Sequence, residues 1–167
     1  MTPQDITLLF HDLFEPIYRY VYFRIGHKQD SEALVSLIFE KVIAKQESYS
    51  IQEHASIRSW VFRIAHNTIV DHYRTRKTTD AIDDIEISTE HSLEKELDIT
   101  IETERVRIFI NRLPERQREI LLLRYHAQLN YAEIGSLLDI EPKSASSLLS
   151  KALTQVRDDY NAQLPHL

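Results

Sequence analysis

SIRSWVFRIAHNTIVDHYRTRK, residues Ser56 to Lys77, carries helical periodicity along its whole length. At 100° per residue, Ile57, Val61, Ile64, Ala65 and Thr68 share one side of a helix. Trp60, Arg63, Asn67, Asp71 and Arg74 fall within a second, adjacent arc of roughly 80°. The spacing predicts an amphipathic helix with Ser56 as its N-cap. Its second face joins an aromatic ring, two guanidinium groups, an amide and a carboxylate, and the last turn adds Arg76 and Lys77. Two readings fit that stripe. In one, Trp60 belongs to the core, the cations complement the helix dipole and Asn67 is a surface residue. In the other, the ring, the flanking cations and the forked amide hold an unstacked base beside a phosphate backbone.

Around this helix the chain offers little that could build a sheet. It has 167 residues, enough for one medium core or two small ones, with only two glycines, Gly26 and Gly135, and five prolines. Strand-rich folds need turn residues that are scarce here, so the expected fold is all-α: two small helical domains joined by a linker. There is no cysteine, which excludes disulfides and thiolate metal sites. No apolar run approaches the length of a membrane span, and the N-terminus lacks the basic start of a signal peptide. A soluble cytoplasmic protein is expected. Phosphate-binding glycine loops, nucleophile elbows and paired metal-binding histidines are absent, so neither an enzyme nor a cofactor is expected.

The net charge of −6 is unevenly spread. Residues 1–77 carry 10 Lys or Arg against 9 Asp or Glu, residues 78–98 carry 1 against 8, and residues 99–167 carry 9 against 9. Within Arg58–Lys77 there are five cations and one acid, a local footprint suited to phosphate.

Upstream, Thr2 as N-cap and Pro3 at the first helical position predict a helix to Gly26, with Pro16 kinking or dividing it. Tyr18, Tyr20, Tyr22 and Phe23 read as packed core. A second helix is expected from a cap at Asp30 to about Ser48, with Leu34, Val35, Ile38, Phe39, Val42 and Ile43 on its buried side. Residues 48–55 form a polar connector in which Tyr49 and His54 are marginal base-contact candidates. Downstream of the acidic stretch, Ile101, Val106, Phe109 and Ile110 continue a helical pattern. Pro114 opens the next helix, Asn130 and Glu133 give a capping-box start for Tyr131–Leu138, and Asp139 sits where a left-handed residue is wanted. Pro142 opens the last helix. Two helices joined by a turn of about three residues, with small Gly135 at the crossing, make a helix-turn-helix.

Ser59, Trp60, Ile64, Ala65, Asn67, Asp71 and Arg74 closely resemble the segment of sigma-70-family factors, in their extracytoplasmic-function group, that melts and reads the minus-ten promoter element. DSEALVSLIFEKV, from Asp30, resembles the segment such factors lay against core RNA polymerase, which implies a polymerase-binding face of Asp30, Glu32, Ala33, Ser36 and Leu37. Three of its usual polar contacts are replaced by Ala33, Ser36 and Leu37. LPERQREILLLRY from Leu113 and YAEIGSLL from Tyr131 resemble sigma region four, which reads the minus-thirty-five element. There the recognition helix departs from the family pattern, keeping Lys143 and Lys151 with Ser144, Ser146 and Ser147. Bidentate forks at base edges are therefore few, and duplex reading by this helix should be weak.

The resemblance divides the chain into residues 1–77 (region two), 78–97 (acidic linker) and 98–167 (region four). It implies an alternative sigma factor with core RNA polymerase and promoter DNA as partners, and an anti-sigma factor as a further one. Trp60, Arg63, Asn67 and Asp71 would hold the melted strand, with Arg74, Arg76 and Lys77 on nearby phosphate. The alternative is a sigma-like interaction module that mimics a sigma factor and binds an anti-sigma factor.

Overall fold

The Thr2 hydroxyl accepts the Asp5 N–H while the Asp5 carboxylate accepts the Thr2 N–H, and Pro3 takes a position that needs no donor. Helix α1, Pro3–Ile25, ends on Gly26 in the left-handed region at φ 72°. Pro16 does not divide it: the carbonyl it leaves without a donor belongs to exposed Asp12, within reach of water. Tyr18, Tyr20 and Phe23 are buried and Tyr22 is partly so, as expected of core aromatics.

Helix α2, Lys28–Lys45, starts two residues before the expected cap. His27, not Asp30, is the N-cap, its ring accepting from the Asp30 N–H. A 3-10 turn, Gln46–Ser48, follows. Leu34, Val35, Ile38, Phe39 and Val42 are buried as read, but Ile43 lies on the exposed side, where helical spacing from Phe39 alone did not place it. Helix α3, Ile57–Thr79, contains the whole opening stretch and runs two residues beyond the Lys77 boundary. Ser56 caps it, its hydroxyl accepting from the Ser59 N–H.

The computed structural model describes residues 1–49, 56–79 and 100–163, so the expectations for His54 and for the acidic linker beyond Thr79 lie outside it. Among the described residues every regular element is helical. Helix α4, Ile101–Asn111, is capped by Thr100, and α5, Glu115–Tyr125, follows Pro114. Helix α6, Tyr131–Leu138, has the expected Asn130–Glu133 capping box and ends on Asp139 in the left-handed region. Helix α7, Pro142–Gln163, packs Ala145, Leu149 and Ala152 inward, while Leu153 turns outward.

Helices α1 to α3 form one layer of the core and α4 to α7 the other, and the two meet. Val61, Ile64, Ala65 and Thr68 are buried on α3 as expected, and so are Phe62 and Ile69, which lie outside the predicted apolar side. Phe62 packs edge-on against Tyr20, ring centroids 5.5 Å apart. Each such side chain contributes roughly 1.5–3 kcal/mol by leaving water. The buried apolar residues make one cluster that includes Ile17 and Val61 from the first group of helices and Leu123 and Ile134 from the second.

Candidate nucleic-acid interface

The stripe on α3 is two surfaces rather than one. Its C-terminal half is open: Asn67, Asp71, Arg74, Arg76 and Lys77 are all exposed. Asp71 Oδ1 lies 2.9 Å from an Arg74 guanidinium nitrogen, three residues on. Exposed pairs of this kind are weak, so Arg74 can exchange the carboxylate for phosphate at little cost. Arg76 reaches back to Asp30 of α2 at 3.7 Å.

The N-terminal half is covered. The Trp60 ring is only 4% exposed and lies 5.2 Å from the Tyr49 ring, so in this conformation it is core and not an open stacking platform. Tyr49, marginal in the sequence, is the residue whose ring packs on it. Arg63 donates to the Ser136 hydroxyl of α6 at 3.2 Å. Ser56 donates to the Glu133 carboxylate at 2.7 Å, and Arg58 donates to the Ala127 carbonyl at 3.0 Å. These contacts bring α6 and the turn before it against the start of α3.

Beneath them sits a buried carboxylate that the sequence reading did not single out. Glu119 of α5 pairs with Arg24, accepts the Tyr20 hydroxyl and lies 2.9 Å from the His66 ring. The side chains of Arg24 and Glu119 are 2% and 5% exposed. Removing one partner of such a pair leaves an uncompensated buried charge, which costs about 3–5 kcal/mol. Burial holds the Tyr20 hydroxyl up at about 12, so it stays a neutral donor. Burial, then the nearby Arg24 and Arg63, pushes His66 down to about 4. A neutral His66 meets Glu119 by donating its Nδ1–H. The signal was present: Glu119 opens EILLL on α5, an acid beside four buried apolar residues.

On α2, Glu32, Ala33, Ser36 and Leu37 are exposed, while Asp30 is half-buried between His27 at 3.6 Å and Arg76. Ala33, Ser36 and Leu37 share one face by their spacing and give it little charge. On α7, Lys143, Ser144, Ser147 and Lys151 face outward, and Ser146 is partly buried. The helix thus presents two ammonium groups among hydroxyls, with Lys143 and Lys151 two turns apart. No helix of the described residues is long and apolar enough to cross a membrane.

Residues 9–79 match the protein family described as Sigma-70 region 2, and residues 103–156 the one described as Sigma-70, region 4. RNA polymerase sigma factor SigZ of Bacillus subtilis is 30% identical over 151 residues, 90% of this chain and 82% of that protein. ECF RNA polymerase sigma factor SigM of the same organism is 25% identical over 147 residues, 87% of this chain and 88% of its own. Among solved structures, the sigma factor RpoE of Bartonella quintana, in complex with the anti-sigma factor NepR, shares the fold at a TM-score of 0.76. It is 17% identical, covering 96% of this chain and 99% of that one. CnrH, in complex with the cytosolic domain of CnrY, aligns at a TM-score of 0.73 and 16% identity, covering 97% and 91%.

Proposed function

From a chain that belongs to the sigma-70 family, in its extracytoplasmic-function group, we propose a working initiation factor that directs core RNA polymerase to promoters by reading the melted minus-ten strand. The observation that carries this reading is the exposed row on α3, where Asn67 stands about two to three turns ahead of Arg74, Arg76 and Lys77. An amide fork followed by cations is the arrangement a single strand needs: a polar group for a base edge, then charge for the backbone. Arg63 joins that row once Ser136 releases it, and Trp60 joins when Tyr49 swings aside. The exposed face of Glu32, Ala33, Ser36 and Leu37, with Asp30 at its edge, docks on the polymerase largely through apolar contact. Lys143, Lys151 and Ser144, Ser146 and Ser147 meet the upstream duplex mainly at phosphate. The protein acts in the cytoplasm, where the polymerase is, and no catalytic step or cofactor is assigned to it. An anti-sigma factor is a further partner on this reading, as NepR is for RpoE.

The test is co-purification with core RNA polymerase followed by footprinting of open complexes on host DNA. Asn67→Ala is expected to lower open-complex formation at least tenfold while polymerase association stays within twofold. Equal loss of both overturns the assignment of Asn67. A second reading, a sigma-like module that binds an anti-sigma factor in place of promoter, is favoured by the low charge of the α2 face and the hydroxyl-rich α7. Failure to join the polymerase, with stoichiometric capture of a purified anti-sigma factor, would establish it.

A further inference from the structure

Most apolar side chains of α3 turn inward. Val61, Phe62, Ile64, Ala65 and Ile69 are buried, whereas Val70 is 43% exposed, more than any other large apolar side chain among the described residues of the helix. Burial does not account for a valine here, and neither does helix formation. Valine loses side-chain freedom against the preceding turn and is a weaker helix former than alanine or arginine. Its neighbours set it apart from the other exposed apolar residues. At 100° per residue Val70 lies roughly 60° from Asn67, 40° from Arg74 and 20° from Lys77, all of them exposed. A small dry surface thus stands inside the row of polar and cationic groups, three residues after the amide and four before the guanidinium.

The amide leaves open a choice that the valine can make. An Asn side chain offers an acceptor and a donor side by side. In one orientation it pairs with O4 and N3–H of thymine; turned over, it pairs with the N4 amine and N3 of cytosine. Asn67 alone therefore holds either pyrimidine by its Watson–Crick edge. The two bases differ beside that edge, at C5, where thymine carries a methyl group and cytosine a hydrogen. Side chains three apart on one helix face have Cβ atoms on the order of 5–6 Å from each other. A base paired to Asn67 can thus bring its C5 corner against Val70 while Arg74 and Lys77 take phosphate.

We infer that Val70 is a specificity residue of this face: it packs on the 5-methyl group of an unpaired thymine whose Watson–Crick edge is held by Asn67. This rests on the proposed reading of α3 as the helix that takes the melted strand. The contact removes the methyl group from water and leaves the hydrogen bonds to Asn67 in place, so it favours thymine over cytosine and over uracil. Neither purine carries a methyl group to fill the same position.

The test measures methyl recognition directly. The full-length protein is assembled with core RNA polymerase, and short single strands of dT, dU, dC or 5-methyl-dC are titrated against it by fluorescence anisotropy, with core polymerase alone as the reference. The dT strand is expected to bind about fourfold tighter than dU, the equivalent of about 0.8 kcal/mol for one methyl group leaving water. The 5-methyl-dC strand should exceed dC by the same factor. Val70→Ser should abolish both preferences, while Val70→Leu, which keeps an apolar side chain, should retain them. Because Val70 is exposed, both variants should keep the helical content of the parent by circular dichroism. Arg74→Ala, in contrast, should weaken all four strands alike, since a phosphate contact is blind to the base. Equal binding of dT and dU by the parent complex, or a methyl preference that survives in Val70→Ser, overturns the assignment of Val70 and leaves the strand-reading face standing. If the complex binds none of the strands tighter than core polymerase alone, the reading of α3 falls and Val70 with it.

Discussion

A methyl group added at Gly135 should damage region four by an amount the structure allows to be worked out. A Cβ there would lie 2.6 Å from the Ile140 carbonyl oxygen and 3.4 Å from the Pro142 nitrogen. Both are backbone atoms of the turn into α7, so neither can rotate away. The Gly135 carbonyl also accepts the N–H of Asp139 and, at 2.9 Å, that of Ile140. Moving the turn to admit the methyl strains those bonds as well. Overpacking of this kind costs about 1–3 kcal/mol, and a weakened hydrogen bond adds about 1 kcal/mol. Alanine returns about 1 kcal/mol through its helix propensity. The balance is a loss of about 2 kcal/mol for Gly135→Ala. Urea unfolding of the full chain, followed by circular dichroism, measures it directly. Because the displaced turn aims α7, binding to duplex promoter DNA should weaken in parallel. An alanine variant as stable as the parent would refute the argument, since it would mean that the close approach of α6 to the turn is not a constraint.

Arg74→Ala should lower open-complex formation more than Lys151→Ala, because Arg74 is a guanidinium on the helix proposed to read the strand and Lys151 a single ammonium among hydroxyls; the reverse order in footprinting titrations would mean that α7 dominates recognition. Acid should destabilise the fold through His126, which burial pushes down to about 4, with Arg19 adding to the shift. Its folded value lies below the unfolded one near 6.5, so the ring stays neutral in the folded chain while the unfolded chain gains a proton. Stability is then complete above about pH 6.5 and falls as the pH drops from there toward 4, by up to about 2 kcal/mol at pH 5. Urea midpoints at pH 7 and pH 5 should differ in the parent and differ less in His126→Gln; equal slopes in the two proteins would rule out His126 as the source. His66 is shifted in the same direction, but the Glu115 carboxylate opposes the shift, so His126 is the cleaner probe.

What could be read from sequence was local. The Thr2 cap, the Asn130–Glu133 box and left-handed Asp139 depend on partners within four residues, and each formed as written. The start of α2 was misplaced because His27 competes with Asp30 for the same cap, and propensity alone favours the carboxylate. Burial was legible only where one helix face has one neighbour. Phe62 and Ile69 are fully buried because α3 has α1 and α2 on one side and α6 on another, a fact no periodicity contains. Trp60 carries the strongest resemblance, yet its ring is packed on Tyr49, and Arg63 is spent on Ser136. A pattern of residue types records which groups can face a ligand. It does not record which of them another part of the same chain is already using.

The distribution of charge over the two reading surfaces then has a consequence for how the protein would choose DNA. Helix α7 offers Lys143 and Lys151 with serines between them, a face able to bond phosphate oxygens but poor in the planar forks that distinguish base pairs. Helix α3 holds the forked groups, Asn67, Arg63 and Arg74, on the element that the proposed function assigns to separated strands. On that assignment specificity would be concentrated at the step after melting, and the duplex contact would contribute mainly affinity.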